Sequence, residues 1–133
     1  MSGYTIVNLL DIEDSAQGRI PGVEGRFARR HLGSRDLGVS LWRYAPGTRN
    51  PQGHSHREQE EAYVVVAGSG RVRLGDEVRD IRPWDVIRVA PEVVRAFEAG
   101  PDGLELIAVG GPRPEGGDGV GSDARWPDER QAS

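Results

Sequence analysis

His54 and His56 stand two apart in the run Gly53-His54-Ser55-His56, and Glu61 follows five residues after the second histidine. In an extended segment, side chains two apart leave the same face of the backbone, so the two imidazoles project together. Two imidazoles and one carboxylate are the smallest protein set that holds a transition metal and still leaves coordination positions open. Glu61 opens the apolar run Ala62 to Ala67, and Tyr63 shares its parity, which makes Tyr63 a candidate hydrogen-bond donor at the same face. The third histidine, His31, lies in a charged stretch and reads as an ordinary surface histidine in preference to a further ligand.

These side chains need rigid elements to hold them, and the chain around them is patterned as strands. Tyr4 to Leu10 alternates weakly and predicts a first strand, followed by a loop over residues 11–25. Arg26 to Leu32, charged on both faces, predicts an edge strand. Leu37 to Ala45 carries Leu37, Val39 and Leu41 on one parity and Trp42 and Tyr44 on the other, the pattern of a strand buried on two sides. Beyond the histidine pair, Glu61 to Ala67 is the most strand-like piece, with Gly68-Ser69-Gly70 as a hairpin turn into Arg71 to Leu74. Gly75-Asp76-Glu77 predicts a second hairpin, Val78 to Ile81 its far strand, and Val86 to Val89 the next. Val94 to Glu98 and Leu104 to Val109 read as two last strands joined by residues 99–103. Arg71, Arg73, Arg79, Arg82 and Arg88 alternate with apolar residues or flank turns, and so fall on outward faces.

Turn chemistry at intervals of roughly 8 to 12 residues is the spacing of an antiparallel sandwich or barrel. The 133 residues allow one core. The expected organisation is 1–34 as N-terminal strands and loop packed on a barrel, 35–110 as the barrel, and 111–133 as a flexible tail rich in Gly and Pro. Trp126 is the one residue of that tail able to dock, on the barrel or on a neighbouring subunit; simple exposure is the alternative.

Composition excludes several kinds of function. The net charge is −4, with the basic residues scattered, against the concentrated positive surface that nucleic acid requires. No cysteine is present, and all seventeen basic residues are arginine, so thiolate ligands, cysteine nucleophiles and lysine Schiff bases are unavailable. No window approaches the roughly 18 to 20 apolar residues of a membrane-spanning helix, and the first residues lack a signal-peptide pattern. The expectation is a cytoplasmic protein without nucleic-acid or membrane partners.

The run from Gly47 through His54-Ser55-His56, Glu61 and Gly68 resembles the first motif of the cupin superfamily, in which a glycine precedes a His-x-His pair, a glutamate and a second glycine. Pro83-Trp84-Asp85 and Ala90-Pro91-Glu92 resemble the turns of the second motif, with Trp84 in a glycine position and Arg95 where a histidine usually completes the metal site. The resemblance spans about residues 35 to 110. It implies an all-β fold, a double-stranded antiparallel β-helix or jelly-roll barrel in a single domain, often a homodimer, with its pocket inside. The family includes metal-dependent enzymes and non-enzymatic binding proteins, so fold alone does not decide function.

Arg95 divides the readings. In one, His54, His56 and Glu61 hold a divalent metal (Fe, Mn, Ni or Zn), and Arg95 clamps the carboxylate or phosphate of a small-molecule ligand. In the other, no metal binds strongly: a guanidinium about 5 Å from a dication costs roughly 6 to 7 kcal/mol at an effective dielectric near 20, and Arg95 pairs with Glu61 instead. The expectation is a ligand-binding pocket of Arg95, Tyr63, His54, His56 and Glu61 with metal weak or absent; the alternative is a dioxygenase- or isomerase-like enzyme on the 2-His-1-Glu set.

Overall fold

The computed structural model describes residues 3–16, 19–123 and 125–128. Its strands are β1 (Val23–Phe27), β2 (Gly38–Tyr44), β3 (His54–His56), β4 (Glu61–Leu74), β5 (Glu77–Ile81), β6 (Val86–Val89), β7 (Arg95–Gly110) and β8 (Gly119–Gly121), with one short helix, α1 (Arg29–Leu32). All the pairings are antiparallel.

The two long strands organise the rest. The first half of β4 pairs with β6 and with the second half of β7, which continues to β2 and then β1. The second half of β4 pairs with β5 and with the first half of β7, beside which lie β3 and β8. Thus β4 and β7 cross from one layer to the other, and the expected jelly-roll barrel closes around them.

Both corners are where the sequence predicts turns. Gly68-Ser69-Gly70 does not reverse the chain as the expected hairpin would. It lies inside continuous β4, where the pairing with β7 slips between Val65 and Ala67 and again between Gly68 and Gly70. Glycine is required there because a β-carbon on Gly70 would lie 2.0 Å from the Glu98 carbonyl oxygen. Residues 99–103 likewise bend β7 without ending it. A glycine in a strand reads locally as a turn, but it equally permits a bulge and the close approach of a second backbone.

Tyr63, Val65, Val72, Phe97, Leu104 and Leu106 fill the space between the layers, each at most 4% exposed. Burying such a side chain contributes about 1.5–3 kcal/mol before entropy is counted. The parity expected for β2 holds: Trp42 and Tyr44 face the interior opposite Leu106 and Leu104.

Other expectations fail for identifiable reasons. Tyr4 to Leu10 forms no strand; it runs extended into a single 3₁₀ turn at Leu9–Asp11, which the Asn8 side chain caps. The predicted edge strand from Arg26 to Leu32 is split: β1 ends at Phe27 and α1 follows, closed by Gly33 in the left-handed region. Arg73 is not outward but 1% exposed, because residues after 110 cover that face. Trp126, 1% exposed, sits there, its ring centroid 4.4 Å from the Arg49 guanidinium and 5.8 Å from those of Arg71 and Arg73. Its indole N–H donates to the Asn50 carbonyl at 2.7 Å. The segment expected to be a loose tail therefore contributes β8 and a buried tryptophan to the barrel.

Candidate metal centre

Gly53 admits the histidine strand to the barrel. A β-carbon there would lie 2.5 Å from Val94 and 2.9 Å from the Arg95 carbonyl, so only glycine lets β3 approach β7. In that register His54 pairs with Arg95 on β7, and β8 flanks the other edge of β3. Glu61, at the start of β4, comes from the opposite layer.

The three candidate ligands meet as their spacing predicts: one donor atom from each of His54, His56 and Glu61 lies within 4.8 Å of the others. Glu61 Oε1 is 3.1 Å from His56 Nε2 and 4.0 Å from His54 Nε2. The two imidazole rings stand edge to face with centroids 5.2 Å apart. Tyr63 belongs to the same group, its hydroxyl donating to Glu61 Oε1 at 2.7 Å. Burial, then the Glu61 charge, pushes the Tyr63 hydroxyl well above its usual range, so it remains a donor.

Nothing in the sequence pointed to the partner of His56. Its Nδ1 lies 2.9 Å from Asp118 Oδ1, and Asp118 Oδ2 accepts the backbone N–H groups of Glu58 at 2.7 Å and Gln59 at 2.8 Å. Burial would raise the Asp118 carboxyl; the Glu58 amide, His56 and the Gln59 amide outweigh it and hold it at about 2. An ionised carboxylate can only accept, so His56 donates through Nδ1–H. Nε2 then faces Glu61, and although it is buried, the approach of Oε1 lacks the geometry of a hydrogen bond. A carboxylate oxygen close to a ring nitrogen but out of line with it fits a shared cation better than a shared proton. The donor set therefore fits a divalent metal, with Asp118 orienting one ligand and Tyr63 another.

Desolvation within the cavity, although the His54 side chain is 47% exposed, pushes its imidazole down to about 4, with the Arg95 charge adding to the effect and Glu61 opposing it. His54 is thus neutral near pH 7, the form that ligates metal. Arg95 itself is completely buried. It forms no ion pair with Glu61; its guanidinium donates to the carbonyls of Ala90 at 3.2 Å and His54 at 3.5 Å, and it is not part of the cavity wall. The expected pair with Glu61 is not formed; the Arg95 head is turned to backbone carbonyls instead.

The cavity in front of the cluster has a volume of about 800 Å³. His54, His56, Glu61 and Tyr63 line it, together with Gln59, Trp42 and Arg29. Gln59, read from sequence as part of a solvated turn with Glu58 and Glu60, is buried and donates to the Gly111 carbonyl at 3.1 Å. His31 lies outside the site, 3.2 Å from Glu13 on the surface.

A closed antiparallel barrel with a 2-His-1-carboxylate cluster facing an interior cavity defines the cupin class of architecture. Residues 40–110 match the cupin domain family, and the chain belongs to it. No curated protein sequence matches. Similar solved structures include a cupin protein from Bacteroides fragilis, with TM-score 0.70, 20% identity and coverage of 86% of this chain and 89% of that one. A sugar phosphate isomerase of the cupin superfamily from Silicibacter pomeroyi has TM-score 0.72, 20% identity and coverage of 90% and 83%. Oxalate decarboxylase from Bacillus subtilis has TM-score 0.71 and 22% identity over 87% of this chain, which spans 32% of that one. At these identities the likeness establishes the fold. No helix among the described residues is long and apolar enough to cross a membrane.

Proposed function

We propose that this cupin holds one divalent metal on His54, His56 and Glu61 and binds a small organic anion in the cavity before it. The observation that carries this reading is the commitment of His56 Nδ1–H to Asp118, which leaves Nε2 buried against Glu61 without a hydrogen bond of its own. Two imidazoles and a carboxylate suit Fe, Mn, Ni or Zn. A metal there would supply Lewis acidity to a ligand oxygen entering an open position. The chain's own residues divide the remaining work. Tyr63 fixes Glu61 and keeps its proton, Asp118 fixes His56, and Trp42, Phe97 and Leu106 supply an apolar wall that limits water. Arg95 acts on the pocket by charge, not contact. Two of the similar structures are named for enzymes of organic anions, a sugar phosphate isomerase and oxalate decarboxylase, which supports turnover of the isomerase or decarboxylase kind over mere storage.

A metal-free ligand-binding protein is the second reading, favoured by the buried positive charge of Arg95 beside His54. Elemental analysis of protein purified without chelator, then reloaded with each divalent ion, decides between them. The expected result is one equivalent per chain, lost in His56→Ala; near-zero metal after loading supports the second reading and sinks the first. On either reading the protein is cytoplasmic, and a second copy covers the outward apolar stripe of Val64, Val86 and Val109, an arrangement that sedimentation equilibrium tests.

A further inference from the structure

Three arginines of this chain stand apart from those on the outer strand faces. Those on outer strand faces, such as Arg43, Arg71, Arg79 and Arg88, each have a carboxylate within 4 Å. Arg19, Arg29 and Arg113 have none among the described residues, and all three line the cavity. Against them the cavity wall offers one carboxylate, Glu61, which a metal would neutralise.

Arg29 is built into its place. Its guanidinium donates to the carbonyls of Arg35 at 3.3 Å and Gly111 at 3.2 Å, so backbone oxygens hold its position without cancelling its charge. Gly38 leaves the room: a β-carbon there would lie 2.8 Å from an Arg29 terminal nitrogen. The Gly111 carbonyl also receives Gln59 Nε2, and Gly110 beside it pairs with Glu61 across the sheet. The Arg29 head is thereby anchored at the end of the cavity where Glu61 begins β4. Arg113, on the chain just beyond, reaches the same wall; burial and then the Arg113 charge lower the Arg29 pKa, opposed by the Asp36 charge. Two guanidiniums on one cavity wall, with no carboxylate in ion-pair contact with either, repel each other and favour an anion between them.

We propose that Arg29 and Arg113, with Arg19 at the wall, form an anion subsite that selects ligands carrying a phosphate or carboxylate group. This rests on the reading of the cavity as a small-molecule site and specifies its substrate class. An oxygen of the ligand near His54, His56 and Glu61 and an anionic group on the arginines would together fill the cavity, whose size is in the range for small-molecule sites, roughly 300–1,000 Å³. Planar guanidinium groups suit bidentate contact with either anion.

Calorimetric titration at low salt tests this, with inorganic phosphate, malonate and neutral glycerol as probes, on metal-free and cobalt-loaded protein. Wild-type protein is expected to bind phosphate or malonate without metal and not to bind glycerol; whichever anion binds more tightly assigns the group as phosphate or carboxylate. Arg29→Gln and Arg113→Gln should each weaken that binding about tenfold, while Arg82→Gln, on an exposed turn away from the cavity, leaves it unchanged. Arg113 is exposed, so its variant folds even if Arg29→Gln does not. Anion affinity equal in all four proteins, or absent from metal-free wild type, overturns the subsite. Cobalt uptake is read separately in the same samples: its loss would count against the metal centre and leave the arginine result standing.

Discussion

His56 Nδ1 and Asp118 Oδ1 are 2.9 Å apart although 62 residues separate them in the chain, and this contact joins the segment after the barrel to the metal centre. Through it β8 is more than a covering strand. Pairing of Val120 with Ser55 and of Gly119 with His56 sets Asp118 beneath the imidazole. The same carboxylate closes the turn after β3 by accepting two backbone amides, so the ligand strand and its orienting group fold as one unit.

Asp118→Asn removes the charge and half of the acceptor capacity. An asparagine can offer its oxygen to Nδ1–H or to the amides of Glu58 and Gln59, not to both. Divalent-metal affinity is expected to fall 10- to 100-fold, measured by competition with a chromophoric chelator, while far-ultraviolet circular dichroism stays that of the barrel. Unchanged affinity would remove Asp118 from the centre.

Trp126 tests the second anchor of the same segment. Its removal exposes Arg73, ends the stacking on Arg49 and frees the Asn50 carbonyl. Trp126→Ala is expected to cost about 3–5 kcal/mol in urea unfolding. Trp126→Phe, which keeps an aromatic ring on the arginines but loses the N–H and the five-membered ring, should cost less than the alanine change.

Trp84 has φ of 76° and a side chain 75% exposed. The left-handed conformation costs a non-glycine residue about 1–2 kcal/mol, and the turn holds it through the Trp84 N–H to the Val65 carbonyl and the Arg82 N–H to Asp85. Trp84→Gly relieves the strain, offset by about 0.5–1 kcal/mol of added freedom in the unfolded chain. The expected outcome is a protein equally stable or up to ~1 kcal/mol more stable, whereas Trp84→Ala, which keeps the β-carbon, gains nothing. Comparative urea midpoints decide it.

These residues also mark how far the sequence could be read. The His54, His56, Glu61 cluster and Tyr63 were legible because period-two spacing fixes which side chains share a face, and the glycine position at Trp84 was legible through its resemblance to the second cupin motif, borne out by its φ of 76°. Gly68 and Gly70 were misread for the complementary reason: a glycine reports that a β-carbon is not tolerated, not whether the chain turns or bends. Arg95 was placed correctly on its strand, but its head binds the carbonyls of His54 and Ala90, a long-range and a turn contact that no local pattern encodes. Trp126 was marked as able to dock on the barrel, without its partners; Asp118, Gln59 and Arg29 were out of reach. Each works through a partner far along the chain, and a lone Asp among glycines carries no periodic signal.

Tyr44 sets the alkaline limit of the fold. Buried, with its hydroxyl donating to Asn50 Oδ1 at 2.9 Å, it has its ionisation pushed well above the usual range, chiefly by burial. The unfolded chain ionises it near pH 10, so above that pH the folded state binds more protons than the unfolded state. Its contribution is therefore complete below about pH 9 and is lost as pH rises, by about 1.4 kcal/mol per unit for each such tyrosine. Tyr63 is shifted in the same direction, so two tyrosines share the slope. Urea unfolding between pH 8 and 11 should show stability falling above pH 10 in the native protein and falling about half as steeply in Tyr44→Phe. The substitution should cost about 1 kcal/mol at pH 8 for the lost hydrogen bond, since Asn50 Oδ1 keeps the Phe97 N–H. An alkaline slope identical in the two proteins would show that Tyr44 is not the group that titrates.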